Sequence, residues 1–231
     1  MIPTRHAFFY FFLTVNLAAP LASEAQLLLP PDKSSSEMNL PIERLRRGAE
    51  RRNVRAILIL GLRNDQESIP LFRRLVIETS PKEPFDPNNF PGFGRGTKKE
   101  EIYRQYGYAS TAAKMALTRL GADDYITEFE VGLSTTNGPW RARCIQALGY
   151  IGDKRAVKYL VPLLSDDTAP SRDEFGRGYM SYSFEASEAL RHILPDEWQK
   201  MIEDLRSGAS SDSDFASKWK KWWQQNEAAY K

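Results

Sequence analysis

The sequence predicts an all-α fold: an α-solenoid of about four stacked helical hairpins, closed by a C-terminal Trp-rich capping helix. Three observations predict it. Apolar residues recur at i, i+3 and i+4 spacing from residue 41 onward, with no alternating strand pattern to compete. Two distant segments align without a gap: Val54-Arg55-Ala56-Ile57 through Leu60-Gly61 to Asp65, Ile69 and Leu75-Val76, and Ala142-Arg143-Cys144-Ile145 through Leu148-Gly149 to Asp153, Val157 and Leu163-Leu164. Each segment reads as a helix, a short turn holding an Asp, and a second amphipathic helix, a pair that hides its apolar face only by stacking on another pair.

Composition narrows the function classes. The 231 residues carry 32 Lys+Arg against 30 Asp+Glu, a formal charge of +2, with 42% hydrophobic and 27% charged residues. Neither a disordered polymer nor a membrane bundle has that balance. So even a charge gives no basic footprint, and no nucleic-acid partner is expected. Two histidines and one cysteine leave no material for a disulfide framework or a Cys/His zinc cage. No cofactor and no metal are expected.

Residues 1–25 read as a signal peptide. Arg5 and His6 precede an apolar run from Ala7 to Ala19, and Ser23-Glu24-Ala25 offers small residues for cleavage after Ala25. The run is short for a membrane span and is interrupted by Thr14 and Asn16. The protein is therefore expected to be exported, periplasmic or secreted. Residues 26–40, with Pro30-Pro31 and Ser34-Ser35-Ser36, read as a flexible leader.

The solenoid is expected over 41–206, beginning with an extra helix over Pro41 to Arg51. The two aligned segments are its first and third units, each with its turn Asp placed to cap the second helix. The second unit runs from Ala113, Ala116, Leu117, Leu120 and Gly121 into Ile126 and Phe129. The fourth runs from Ala186, Ala189, Leu190 and Ile193 through Pro195, Asp196 and Glu197 into Met201 and Ile202, with Pro195 and its acids as a helix start. Residues 207–214 read as a linker and 215–231 as the capping helix.

The Ala147-Leu148-Gly149-Tyr150-Ile151-Gly152-Asp153 run, followed by Ala156-Val157 and Leu163-Leu164, resembles a HEAT repeat of the short, phycobilisome-lyase type. The resemblance covers roughly residues 42 to 205 and implies antiparallel helix pairs stacked into a binding scaffold. It also implies that an Arg of each first helix pairs with the turn Asp of a neighbouring unit. Arg55/Asp65 and Arg143/Asp153 fit that pattern, whereas the second unit has Ala112 and Ala122 there and the fourth Glu185 and Pro195.

Units one and three are each followed by a long insertion, and both insertions contain the same tetrapeptide: Phe93-Gly94-Arg95-Gly96 and Phe175-Gly176-Arg177-Gly178. Phe93 and Phe175 stand 82 residues apart, Gly61 and Gly149 88 apart, the spacing of a duplicated two-repeat block. Connections that follow second helices leave from one edge of a solenoid, so both insertions are expected on that edge. Glycines flanking an Arg let backbone approach a ligand, and the guanidinium is a planar fork for carboxylate or phosphate. Phe93, Arg95, Phe175 and Arg177, with Tyr108 and Tyr179 nearby, are therefore the candidate binding residues. The alternative is structural: each Phe plugs a gap between units, and each Arg pairs with a local acid such as Glu100 or Glu174.

In the tail, Phe215, Trp219, Trp222 and Trp223 fall at helical spacing among Lys218, Lys220 and Lys221. Such a face caps the open end of a solenoid, or lies on a membrane or glycan surface. Cys144 is expected as a buried hydrophobe and His192 as an ordinary helix residue. No Gly-x-Ser-x-Gly, His-Glu-x-x-His, phosphate loop or dinucleotide fingerprint occurs. The expected function is a non-enzymatic exported scaffold that grips a partner protein by its inter-repeat loops. Two other readings stand beside it: a bilin lyase-like or other enzyme, which the resemblance implies, and a cell-wall or membrane-surface module using the Trp tail.

Overall fold

The computed structural model describes residues 35–80, 107–136, 138–169, 180–206 and 215–230. The expected signal peptide, the linker over 207–214, and Phe93, Arg95, Phe175, Arg177 and Tyr179 of the insertions lie outside these residues.

The first described element is a 3-10 turn at Ser36–Asn39, which Ser35 caps through its hydroxyl. Met38 and Leu40 pack on the core, so these last residues of the expected leader belong to the fold. Helix α1 (Ile42–Glu50) buries only Leu45 and Ala49. It ends where Arg52 turns left-handed (φ 63°), and Asn53 caps the next helix by accepting from the Ala56 N–H at 3.0 Å. In α2 (Val54–Leu62), seven of nine residues are buried, as a helix covered on all sides requires. Asn64 at φ 56° closes it, and a 3-10 turn at Gln66–Ser68 leads into α3 (Ile69–Thr79), with Pro70 in its first turn.

The second hairpin is α4 (Tyr108–Arg119) and α5 (Ile126–Gly132), separated by Gly121 at φ 69°. The third opens with α6 (Gly138–Ile151) and turns at Gly152, φ 75°. Its second arm differs from expectation: α7 (Val157–Leu160) lasts one turn and continues as a 3-10 helix, Val161–Ser165. Pro162 has no N–H to extend the α ladder, and the tighter coil follows. The fourth hairpin is α8 (Tyr182–Ile193) and α9 (Pro195–Arg206), followed by α10 (Phe215–Asn226).

First helices stack in the order α2, α4, α6, α8, and second helices pack on the first helix of the next unit: α3 on α4, α5 on α6, α7 with its 3-10 extension on α8. One contiguous core runs through the stack, from Leu45 to Trp219. The spacing of the first helices is set by glycine. A Cβ at Gly61 would stand 3.0 Å from the Cβ of Ala116 on α4, and one at Gly149 would stand 2.8 Å from the Cα of Ala189 on α8. Equivalent glycines thus bring equivalent helices to backbone contact, as the duplicated block predicts.

The tail helix covers the last repeat, packing on α8 and on the 3-10 segment. Trp219 is fully buried, stacked 6.3 Å from Trp198 of α9, with Trp222 edge-on at 5.7 Å. Trp222 and Trp223 are half-buried and meet Tyr230 at 5.4 and 6.0 Å. Among the described residues no helix is long and apolar enough to cross a membrane.

The Arg/Asp pairing implied by the resemblance is replaced by other partners. Asp65 is held by Arg46 of α1, at 2.9 and 2.5 Å, and by the Ser68 hydroxyl; it makes no side-chain cap. Asp153 does cap its turn, accepting from the Arg155 N–H at 2.8 Å, and pairs with the Arg155 guanidinium. Arg55 pairs with Glu37 and Arg143 with Tyr108. Arg55 is the second residue of α2 and Arg143 the sixth of α6. Asp65 is reached by Arg46 from α1, and Asp153 by Arg155 of its own turn.

Candidate functional site

Both insertions spring from one edge, around the first turns of α4, α6 and α8. Each insertion is pinned where it leaves and re-enters the fold. At the first neck, Ser80 at the end of α3 meets Ser110 of α4 (Oγ to Oγ, 3.0 Å), and the Ser110 hydroxyl donates to the Val76 carbonyl at 3.3 Å. At the second, the Tyr182 and Ser183 N–H groups donate to the carbonyls of Thr168 (2.9 Å) and Asp166 (2.8 Å). The Ser183 hydroxyl adds a bond to Asp167 at 2.7 Å. Long connections between elements are often functional.

Helix α6 lies between the necks, and two of its arginines reach out to opposite sides. Arg143 stacks on Tyr108, the first residue of α4, at 4.6 Å from the ring centroid, and donates to its hydroxyl. Arg141 stacks on Tyr182, the first residue of α8, at 4.3 Å, and donates to Asp166 at 2.8 Å. The two tyrosines directly follow the two insertions, so the α6 start is their common support. Arg143 is 6% exposed and Tyr108 2%. Cation–π contact in such dry surroundings is worth about 2 kcal/mol. Burial pushes the Tyr182 hydroxyl above its ordinary pKa, against the nearby Arg141 charge. The Thr168 hydroxyl, and then Arg141, hold Asp166 below the usual carboxylate range.

One turn further along α6, Gln146 donates to Glu185 of α8 at 3.1 Å, both buried. Burial pushes Glu185 up to about 7, only partly opposed by the Gln146 bond. Cys144 on the same helix is buried against Gly132 of α5, where a Cβ would come within 2.2 Å of its Sγ, and burial raises its thiol pKa far from nucleophilic use.

Of the sequence candidates, Tyr108 is at this edge and fully packed, while Trp219, Trp222 and Trp223 form a separate cluster at the C-terminal end. Arg141 and Arg143 were not among those candidates as site residues; Tyr182 stood only as one of the aromatics near the second insertion, and Asp166 read as solvated loop charge. Their signal was faint: two arginines beside Trp140 at a helix start, and a Tyr opening the helix after each insertion.

Residues 140–166 match the family model described as PBS lyase HEAT-like repeat. That stretch is a HEAT-like repeat. It is the third hairpin, and it contributes Arg141, Arg143 and Asp166 to the edge. The HEAT-like repeat therefore holds the centre of the site, with α4 and α8 as its flanks. Neither curated proteins nor solved structures gave a match to the chain.

Proposed function

We propose that the chain is an exported, non-enzymatic scaffold that binds another protein through its two insertions. The observation that carries this reading is the paired necks. Two insertions bearing the same Phe-Gly-Arg-Gly sequence return into α4 and α8, whose opening tyrosines stack on two arginines of α6, the first helix of one HEAT-like repeat. A rigid support under two loops presents both to a single partner surface and lowers the ordering entropy of binding. Phe93, Arg95, Phe175, Arg177 and Tyr179 supply aromatic and guanidinium contacts, the residue types that dominate interface energies.

The test is site-specific photocrosslinking in the native host. A photoreactive residue replaces Phe93 or Phe175, and Lys200 serves as an exposed control. A single adduct from both loop positions, absent at the control and reduced by Arg95→Ala/Arg177→Ala, is the expected outcome. Equal adducts at all three positions, or none, would sink the proposal. Export is checked separately: the N-terminus of the mature chain is expected at Gln26.

A further inference from the structure

Among the described residues, no α-helix precedes α1 in the stack. Helix α1 packs on α2 as α5 packs on α6, in each case through a glycine. A Cβ at Gly48 would stand 2.9 Å from the Ala56 Cβ, just as one at Gly132 would meet Cys144, the residue aligned with Ala56. In the complete unit, α4 also lies against α6, where Arg143 stacks on its Tyr108. The residue aligned with Arg143 is Arg55, and it faces an open groove of about 510 Å³ between α1, α2 and the Ser36–Asn39 turn. Leu40, half-buried, forms part of the floor.

The walls of that groove are basic. Arg44 and Arg47 of α1 and Arg51 at its C-cap stand at i, i+3 and i+7, spanning about 10 Å along the helix direction. All three are exposed and make no ion pair among the described residues. Arg46, between them, is turned away to Asp65, Glu67 and Glu43. Glu37 is the one acid lining the groove, and Arg55 takes it.

We infer that this groove binds an acidic amphipathic helix of a partner protein, docked in the slot that α4 fills one block later. Leu40 offers a small apolar contact between mostly polar walls, and three guanidiniums without an ion pair call for carboxylates along the flank of a docked helix. A flat anionic membrane fits less well, because the large exposed apolar side chains, Ile77, Val131, Met180 and Phe184, all lie on other elements, away from the arginines. This site is separate from the insertions and does not depend on their role.

The experiment is fluorescence anisotropy on the full chain with a fluorescein-labelled helical peptide, Leu on one face and Glu along its flank, beside a control with every Glu replaced by Gln. The acidic peptide is expected to bind, gain helicity by circular dichroism, and weaken as salt rises. Arg44→Gln/Arg47→Gln/Arg51→Gln, with an unchanged far-ultraviolet spectrum, is expected to lose about tenfold or more in affinity. Arg74→Gln and Arg95→Ala/Arg177→Ala are expected to bind as wild type. Equal binding of the Gln control, an unaffected triple variant, or no binding would overturn the inference. So would phosphatidylglycerol vesicles that take up the chain through these arginines while the peptide does not. Loss of the peptide in the Arg95→Ala/Arg177→Ala variant would move its site to the insertions.

Discussion

The first and second halves of the stack share a backbone plan and differ in what fills it. Gly61 against Ala116 and Gly149 against Ala189 set the same close approach of α2 to α4 and of α6 to α8. Where the second interface holds Gln146 and Glu185, the aligned positions of the first are Leu58 and Ala112, both fully buried. The first block is a dry interface, and the second carries a polar pair in its core. Repeat geometry is thus fixed by the residues with least side chain, while the larger ones are free to diverge. The halves are also latched together: Tyr150 of α6 donates its hydroxyl to the Leu58 carbonyl of α2 at 2.6 Å, in space that Gly61 leaves open.

The largest effect should come from moving the polar chemistry into the dry block. Ala112→Glu would bury a carboxylate with no Gln opposite it, and we expect a loss above about 4 kcal/mol in urea denaturation. A small loss would mean that the first interface opens to water and the contrast is not real. Gly149→Ala comes next. Its Cβ meets backbone, which cannot step aside, so overpacking of about 2–3 kcal/mol is expected to outweigh the gain in helix propensity. Gly61→Ala should cost a similar amount by expelling the Tyr150 hydroxyl; a neutral outcome in either would show that glycine does not set the spacing.

Glu185→Gln should stabilise, and only at higher pH. The unfolded carboxyl loses its proton near 4.5, and the folded one keeps it to about 7. In that window the folded state holds a proton the unfolded state has lost, so stability falls as pH rises from about 4.5 to 7 and is level above. The variant is expected to remove this slope and gain about 3 kcal/mol at pH 8, with little change at pH 4.5. A melting curve whose pH dependence survives the substitution would refute the assignment. Smallest of all is Arg73→Gln, which breaks an exposed bridge to Asp123 at 3.0 Å. A change of about 0.5 kcal/mol or less is expected, and more would mark this crossing between hairpins as a real latch.

Much of the fold was legible because helices leave a periodic trace. The glycine at the same register of units one and three, and the repeated tetrapeptide, are the sequence signs that pointed to a duplicated block. Less of the site was legible. Tyr108 could be flagged by proximity to an insertion, but its burial under Arg143 could not, since the two are 35 residues apart. The shortened arm after Val157 was foreshadowed by Pro162, whose effect on the ladder is local and could have been weighed.

The sequence by itself determined the helix pairs of the described residues, the turns at Gly121 and Gly152, and the glycines that let first helices touch. These depend on backbone conformation and on apolar period, both written within a few residues. The tertiary structure alone decided the partners: Arg46 for Asp65, Gln146 for Glu185, and the two tyrosines for the two arginines of α6. Long polar side chains pair with whatever the stacking brings within reach, and stacking joins residues that no local pattern relates.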